Sequence, residues 1–276
     1  MIKKSLVAFV LLLATLLSSC ERRHKQDVLI LYPNWAEGIA ITHLGKIMLE
    51  EKGYKVSIKR LEPGPIYAAL SRGDADVYMD AWLPHTHMDY WKRYNHRLDT
   101  LGSVFDGGIT GLVVPSYVDI NSIEELNGNK ERFESKIYGI GVGAGIHSNT
   151  EKAIELYNLE LPQISSSETS MITALKKAVS RHEWVVITGW KPHFMWTNFD
   201  LKVLDDPMGI YPTDTIKIVT RKGFAEDKPE IAKILQEYKL SEEILNELIT
   251  EVDKDSKPEI GARRFYEKYK NILFAD

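Results

Sequence analysis

The sequence predicts an α/β fold of two lobes, each a mostly parallel sheet flanked by helices, with two crossings of the chain between them. Three observations support this fold. Short apolar runs alternate with amphipathic segments over residues 28–81, an order typical of parallel β-α-β units. A second series of this kind follows Pro115, and an apolar run near Ile216 indicates that the chain then returns to the first lobe. A single large doubly wound domain is the alternative.

The first lobe is predicted from an alternation of strand and helix patterns. Its opening apolar run, Val28–Tyr32, is typical of a buried strand. Gly53 marks the end of the helix that follows, since glycine is common just past a helix C-terminus. The segments after the first strand are a helix over Ile39–Leu49, a strand over Lys55–Arg60, a short helix over Ile66–Leu70 and a strand over Val77–Ala81.

The second lobe is predicted to follow the apolar run Gly111–Val114. Ser148 or Asn149 is the expected N-cap of one of its helices and Ser167 of another, because these side chains accept hydrogen bonds from the first helical turn. The predicted segments are a short helix over Ser122–Leu126, a strand over Ile137–Gly141, helices over Thr150–Tyr157 and Glu168–Val179, and a strand over Trp184–Thr188.

The chain is expected to re-enter the first lobe with a strand over Ile216–Thr220, followed by helices over Lys228–Phe274. We therefore assign residues 28–113 and 212–276 to the first lobe and residues 114–211 to the second. Two crossings of this kind act as a hinge, and the cleft between two hinged lobes is a common place for a ligand site.

The N-terminus has the features of a sorting signal. Two lysines precede the apolar run Leu6–Leu17, which is short for a membrane span and leads into two serines and Cys20. Small residues before a cysteine resemble the lipobox of bacterial lipoproteins. We therefore expect residues 1–19 to be a signal peptide, Cys20 to receive lipid, and residues 20–27 to tether the body. An ordinary signal peptide with an incidental cysteine is the alternative.

The composition limits the kinds of molecule with which the protein is expected to interact. The net charge is −4 at pH 7 and no run of basic residues occurs, so we expect no nucleic-acid partner, because nothing would neutralise several phosphates. No second apolar segment reaches the length that a membrane span needs. Cys20 is the only cysteine, which excludes an internal disulfide. The body is therefore expected to be held at the membrane by lipid alone.

Three tryptophans follow predicted strands at places far apart in the sequence. Trp35 comes after the first strand, Trp82 lies just before Pro84, and Trp190 lies just before Pro192. A tryptophan at a strand end beside a proline suits the wall of a cleft. Tryptophan faces bind cations, and a quaternary ammonium group depends on them because it has no N–H to donate. We predict that the three indoles converge on one cationic group, the alternative being ordinary partly buried packing.

The glycine-rich turn Gly139–Ile146 offers a site for the opposite charge. Its backbone N–H groups precede a predicted helix N-terminus, which favours an anion. The turn lacks the Gly-Lys-Ser/Thr of a P-loop and the spacing of a dinucleotide fingerprint, so a small carboxylate fits it better than a pyrophosphate. His87 could donate a hydrogen bond to the same carboxylate. A structural turn and a surface or capping histidine are the alternatives.

A metal-dependent surface hydrolase is the alternative function. It would use His85 and His87, with His193 as a further candidate, although no clear third ligand completes a zinc site. The sequence has no Gly-x-Ser-x-Gly motif and no catalytic cysteine. Glu37 is expected at the start of a helix rather than on a cation. We therefore expect no enzyme activity, no cofactor and no metal; a ligand sensor with the same cleft is a third possibility.

Six short motifs spread over the chain resemble those of one known family. They are Asp80–His87, Gly111–Pro115, Gly143–Ile146, Thr188–Phe194, Asp205–Pro207 and Arg221–Gly223. The family is that of the glycine betaine-binding lipoproteins of bacterial ABC importers for compatible solutes, and the resemblance covers nearly all of the chain after the signal peptide. Two positions depart from it: Gly141-Val142 stands where many relatives have Asp-Pro, and Phe194 stands where tryptophan is common.

The resemblance implies the two-lobe fold of type II periplasmic-type binding proteins and a non-catalytic role. The chain would capture glycine betaine, or a related betaine such as proline betaine, and deliver it to a membrane permease and ATPase. We expect a monomer anchored by lipid to the cell membrane, facing outside the cytoplasm, in the periplasm or at the cell surface. By motif, the resemblance implies a trimethylammonium cage formed by Trp35, Trp82 and Trp190, and a carboxylate site formed by the side chain of His87 and the backbone N–H groups of Gly145 and Ile146.

Overall fold

The computed structural model of the chain describes residues 28–273, with side chains through residue 271. The predicted signal peptide, the lipid site at Cys20 and the tether lie outside the described residues. Within the described part, none of the helices is both long enough and apolar enough to span a membrane.

Strands and helices alternate along the described chain, as predicted. The strands are β1 (Val28–Tyr32), β2 (Val56–Arg60), β3 (Val77–Leu83), β4 (Leu98–Pro115), β5 (Ile137–Gly139), β6 (Gln163–Ser165), β7 (Ile187–Lys191), β8 (Leu201–Val203) and β9 (Asp214–Arg221). The α-helices are α1 (Ala36–Glu51), α2 (Pro63–Arg72), α3 (Met88–Tyr94), α4 (Gly145–Leu156), α5 (Glu168–Arg181), α6 (Met195–Asn198), α7 (Phe224–Asp227), α8 (Pro229–Gln236), α9 (Glu242–Asp253) and α10 (Pro258–Leu273). Short 3-10 helices cover Asn95–Arg97, Ile123–Glu125 and Asn127–Phe133.

The strands form a continuous sheet in the order β2-β1-β3-β9-β4-β7-β5-β6, with β8 paired to β4. The first lobe is built on β1, β2, β3 and β9, and the second on β5, β6, β7 and β8. Strand β1 pairs in parallel with β2 and β3, as the predicted β-α-β-α-β order requires. The later strand β9 enters antiparallel between β3 and β4, and β4 is antiparallel to β7 and β8. Both lobes are therefore mixed sheets rather than mostly parallel ones.

The long strand β4 belongs to both lobes. Its residues Leu98–Gly108 pair with β9 in the first lobe, and residues Ile109–Pro115 pair with β7 and β8 in the second. Gly107, next to the change of partner, has a φ of +94°, which favours glycine because a side chain would be strained there. One crossing of the chain between the lobes thus runs through a single strand. The lobe boundaries predicted from the sequence remain a proposal.

Two predicted segments begin elsewhere in the structure. The helix expected over Thr150–Tyr157 begins at Gly145, and its N-cap is Ala144, which has no side-chain cap. The expected caps Ser148 and Asn149 are wrong, because the helix has already begun before them. The strand expected over Trp184–Thr188 lies at Ile187–Lys191. By contrast, the predicted N-cap Ser167 is confirmed and accepts a hydrogen bond from the Ser170 N–H.

The largest apolar cluster of the core spans the cleft. It contains Trp35, Trp82 and Trp190 together with buried residues of both lobes and of the C-terminal helices. The hydroxyl of Tyr238 donates to the carbonyl of Ile41 at 3.1 Å, which joins the segment after α8 to α1. The apolar interior therefore continues from the first lobe through the tryptophans into the second.

Candidate functional site

The three tryptophans meet at one cavity between the lobes. Trp82 lies near the end of β3, Trp35 is the N-cap of α1, and Trp190 lies in β7. All three are buried. Together with other side chains they line one small cavity. The remaining lining residues are Glu37, Thr86, His87, Thr110, Ile140, Ala144, Gly145 and Ile146.

Two buried carboxylates hold two of the indole rings. The Trp82 indole N–H donates to Asp80 at 3.0 Å, and the Trp190 indole N–H donates to Glu37 at 2.8 Å. The second bond joins the lobes, since Glu37 lies on α1 and Trp190 on β7. Each ring is therefore fixed in orientation by a hydrogen bond to a carboxylate as well as by packing.

The environment of these carboxylates favours their uncharged forms. Burial raises the pKa of Glu37 well above its usual value, and the neighbouring Asp80 and Glu168 raise it further. Burial likewise raises the pKa of Asp80, although the hydrogen bond from Trp82 opposes the rise. One carboxylate oxygen of Asp80 is buried and has no hydrogen-bond partner among the residues that the structure describes. A cation in the cavity would stabilise the charged forms of both acids.

His87 is buried at the cavity with one ring nitrogen unused. Its Nδ1 accepts a hydrogen bond from the backbone N–H of Trp82 at 3.1 Å, so a neutral ring carries its proton on Nε2. Burial lowers the pKa of His87 to about 3, so the ring is neutral at pH 7. Its Nε2 is buried and has no partner within the described residues. His87 is thus neither a surface residue nor a side-chain cap, and it can donate one hydrogen bond into the cavity.

Gly145 and Ile146 form the first turn of α4 at the cavity wall. The first N–H groups of a helix have no partner within the helix and carry partial positive charge. A Cβ at Gly145 would lie 1.9 Å from the carbonyl oxygen of Thr86 in the first lobe. Glycine is therefore required here, because the helix N-terminus of one lobe lies directly against the backbone of the other.

The loop opposite this helix is held by Asp214 at the start of β9. The carboxylate of Asp214 accepts hydrogen bonds from the backbone N–H groups of His85 at 2.7 Å and Thr86 at 2.9 Å. These two bonds fix the segment between Trp82 and His87. The sequence analysis did not identify Asp214, because it lies 128 residues from Thr86 in the chain.

Three further cavity residues were missed or misjudged in the sequence analysis. Glu37 lies in the first turn of α1 as expected, and it is also buried and lines the cavity. Thr110 faces Trp190 across the β4–β7 pairing, and its hydroxyl is buried without a partner. The hydroxyl of Thr86 is likewise buried, with no hydrogen-bond partner among the described residues. The sequence offered one signal for them: each lies within two positions of a residue of the predicted site or motifs, namely Trp35, Gly111 or His87.

The lobes are closed around the cavity. Besides the bond between Trp190 and Glu37, the hydroxyl of Tyr90 in the first lobe donates to the carbonyl of Gly143 in the glycine-rich turn at 3.0 Å. The cavity is consequently enclosed by residues of both lobes, and a small molecule inside it would contact both.

The structure does not support a hydrolytic metal centre. Among residues 28–273, no group of three or more His, Cys, Asp or Glu side chains is arranged to hold a metal ion. The Nδ1 of His87 accepts from Trp82, whereas the Nδ1 of His193 accepts from the backbone N–H of Met195 and its Nε2 contacts Glu168. His87 and His193 therefore have separate partners.

Residues 26–268 match the model of a family described as the substrate binding domain of ABC-type glycine betaine transport systems. The glycine betaine/carnitine transport binding protein GbuC of Listeria monocytogenes is 38% identical over 139 residues, which are 49% of this chain. The match spans only 46% of the length of that relative.

Two crystal structures are similar over most of the chain. Lactococcal OpuAC, in its closed-liganded conformation complexed with glycine betaine, is 31% identical with a TM-score of 0.85, over 89% of this chain and 97% of its own. The ProX protein of Borrelia burgdorferi, named as a glycine betaine, L-proline ABC transporter binding protein, is 31% identical with a TM-score of 0.86. That match covers 90% of this chain and 95% of the other. The predicted two-lobe type II fold is confirmed by this likeness.

Proposed function

We propose that this chain, which belongs to the family of substrate-binding domains of ABC-type glycine betaine transport systems, captures glycine betaine or a close relative such as proline betaine. It then delivers the ligand to the permease and ATPase of an importer, on the outer side of the cytoplasmic membrane. The observation that carries this proposal is the single closed cavity that joins three tryptophans to a neutral histidine donor and a helix N-terminus. The chain itself catalyses no reaction.

The cation half of the proposed site is the cage of Trp35, Trp82 and Trp190. A trimethylammonium group cannot accept or donate a hydrogen bond and is attracted by indole faces, each contributing about 0.5–2 kcal/mol. A cation in the cage stabilises the charged forms of Glu37 and Asp80, which then add negative charge behind two of the rings. The bond between Trp82 and Asp80 lies within β3 and can fix that ring before the ligand arrives, which lowers the entropy cost of binding. The bond between Trp190 and Glu37 joins the lobes and therefore forms when they close.

The anion half of the proposed site is made by His87 and the first turn of α4. The Nε2–H of the neutral His87 and the backbone N–H groups of Gly145 and Ile146 are three donors from residues that line the cavity. A small carboxylate accepts several such bonds and is stabilised by the helix N-terminus. Because His87 belongs to one lobe and α4 to the other, a carboxylate between them favours the closed form.

The anchoring and assembly of the protein are further proposals. We propose that Cys20 carries a lipid that holds the protein at the cell membrane, and that the protein acts as a monomer. The lipobox-like sequence before Cys20 supports the first statement. Labelling with a radioactive fatty acid tests it, with Cys20→Ala as the control that should lose the label.

Calorimetry of the purified protein with glycine betaine and choline tests the proposed ligand. Glycine betaine should bind saturably, and choline should bind more weakly, because it shares the cation but lacks the carboxylate. A metal-dependent hydrolase, the alternative function, would contain stoichiometric zinc, which metal analysis of the same sample measures. Folded protein that binds no betaine would refute the proposal, and equal binding of choline would refute the role given to His87, Gly145 and Ile146.

A further inference from the structure

Glu168 caps a helix that belongs to the opposite lobe. It is the first residue of α5 in the second lobe, and its carboxylate accepts a hydrogen bond from the backbone N–H of Ala36 at 3.1 Å. Ala36 is the first residue of α1, whose N-cap Trp35 provides no side-chain cap. The unpaired N–H groups at a helix N-terminus favour a carboxylate. Here that carboxylate comes from a residue 132 positions away in the sequence.

The second lobe holds this carboxylate firmly. The Nε2 of His193 lies 3.0 Å from the other oxygen of Glu168, and the Nδ1 of His193 accepts from the backbone N–H of Met195. A neutral His193 therefore carries its proton on Nε2, and this N–H donates a hydrogen bond to Glu168. His193 is fully buried and packs edge-on against Trp190 at 4.8 Å. The capping carboxylate is thus coupled to a ring of the proposed cage.

Closure also brings Glu168 close to acids of the first lobe. Its charge contributes to the raised pKa of Glu37, Asp80 and Asp253, in each case in addition to burial. Closing the lobes without a cation therefore forces these acids either to repel one another or to bind protons, and a cation among the tryptophans offsets that cost.

We propose that Glu168 is a closure latch, which caps α1 across the cleft once a cationic ligand has offset the charge of the surrounding acids, and so slows the escape of the ligand. Glu168 does not line the cavity and acts through Trp35 and α1, so it is a positioning residue rather than a ligand contact. The inference rests on the proposed function, because it needs a ligand that closes the lobes.

Removing each partner of the latch tests this inference. Glu168→Ala removes the acceptor, and we expect the affinity for glycine betaine to fall roughly 5- to 30-fold. Stopped-flow tryptophan fluorescence should assign the loss to faster dissociation, with little change in association. Ala36→Pro removes only the donor, since proline is tolerated at the first helical position and Trp35 before it is already extended. If the latch is real, the double variant should lose little more than either single variant.

A stability measurement separates a latch from an ordinary structural role. Because Glu168 also contacts the buried His193 within its own lobe, Glu168→Ala should lower the melting temperature of the ligand-free protein, and it should lower that of the betaine-saturated protein by more. The matched control is Glu155→Ala, which removes an exposed carboxylate from α4 of the same lobe and should change neither value. Wild-type affinity in Glu168→Ala, additive losses in the double variant, or an equal loss of stability without ligand would each overturn the latch. Failure of the wild-type protein to bind any betaine would instead refute the proposed function.

Discussion

At the residue scale, the indole N–H groups of Trp82 and Trp190 donate to buried carboxylates, which fixes both rings at the cavity. Trp190 contributes a ring to the cavity and also holds Glu37 of the other lobe at 2.8 Å. Trp184, in the same lobe, packs against Phe133 instead and does not line the cavity. The two residues are therefore a matched pair for substitution.

Replacing Trp190 by Phe should weaken the binding of glycine betaine by about 1 kcal/mol or more, because phenylalanine is a poorer cation–π partner and cannot donate to Glu37. Calorimetry measures the loss. Trp184→Phe is the control and should retain the wild-type affinity. A Trp190→Phe protein that is folded and binds as tightly as wild type would remove this ring from the site.

The buried acids predict a pH dependence. Glu37 and Asp80 have raised pKa values in the closed structure, and they attract a bound cation only in their deprotonated forms, so protons that they carry are released on binding. Affinity for glycine betaine should therefore rise as pH rises through the raised pKa values and fall at lower pH. Calorimetry in two buffers of different ionisation enthalpy measures the released protons, and Glu37→Gln should release fewer. His87, with its pKa of about 3, stays neutral over this range.

The same acids act on the stability of the folded protein in the opposite direction. A carboxyl group with a raised pKa in the folded state binds more protons there than in the unfolded chain. The free energy of unfolding without ligand should therefore fall as pH rises above the ordinary pKa of the acids, while affinity increases. Chemical denaturation of Glu37→Gln, compared with wild type at two pH values, checks this trend; an unchanged pH slope in the variant would contradict it.

At the scale of elements, the start of α4 decides how closely the lobes approach. A side chain at Gly145 would meet the Thr86 carbonyl at 1.9 Å, so Gly145→Ala should hold the lobes apart and weaken ligand binding by at least about 1–3 kcal/mol. Gly128→Ala is the control, because a Cβ there meets nothing within 4 Å. Equal affinities of the two variants, measured by calorimetry, would show that ligand binding does not require α4 to approach the first lobe closely.

Local sequence patterns predicted most of the helices and strands, but not all of their first and last residues. The strand Val28–Tyr32 was predicted to the residue, since a buried strand is an apolar run that a local pattern reveals. The helix at Gly145 was predicted to begin at Thr150, because serine and asparagine are the usual caps. Its true N-terminus is left without a side-chain cap, which a local pattern does not signal. In the proposed function, that uncapped end is where the ligand carboxylate binds.

At the scale of the whole molecule, the closed cavity predicts a ligand-dependent change of shape. The two lobes are joined through β4 and meet at the cavity, so the ligand-free protein should be more open. Small-angle X-ray scattering should record a smaller radius of gyration after glycine betaine is added, and choline should cause a smaller change. Identical scattering with and without a saturating ligand would contradict hinged closure.

The sequence by itself determined the types of residue at the strand ends, the two series of α/β units, and six residues that the structure brings to one cavity: Trp35, Trp82, His87, Gly145, Ile146 and Trp190. These features are local, because apolar periodicity and the proline and glycine positions depend on neighbours in the chain.

Only the tertiary structure decided the mixed pairing of the sheets, the burial of Glu37 and Asp80, and the contacts that close the lobes. Trp190 and Glu37 are 153 positions apart, and Ala36 and Glu168 are 132 apart. Contacts at such separations depend on how strands β3, β4 and β9 pair, and that pairing leaves no local pattern in the sequence. The charge and hydrogen-bonding state of a buried acid follows from these contacts, so it becomes visible only in the folded molecule.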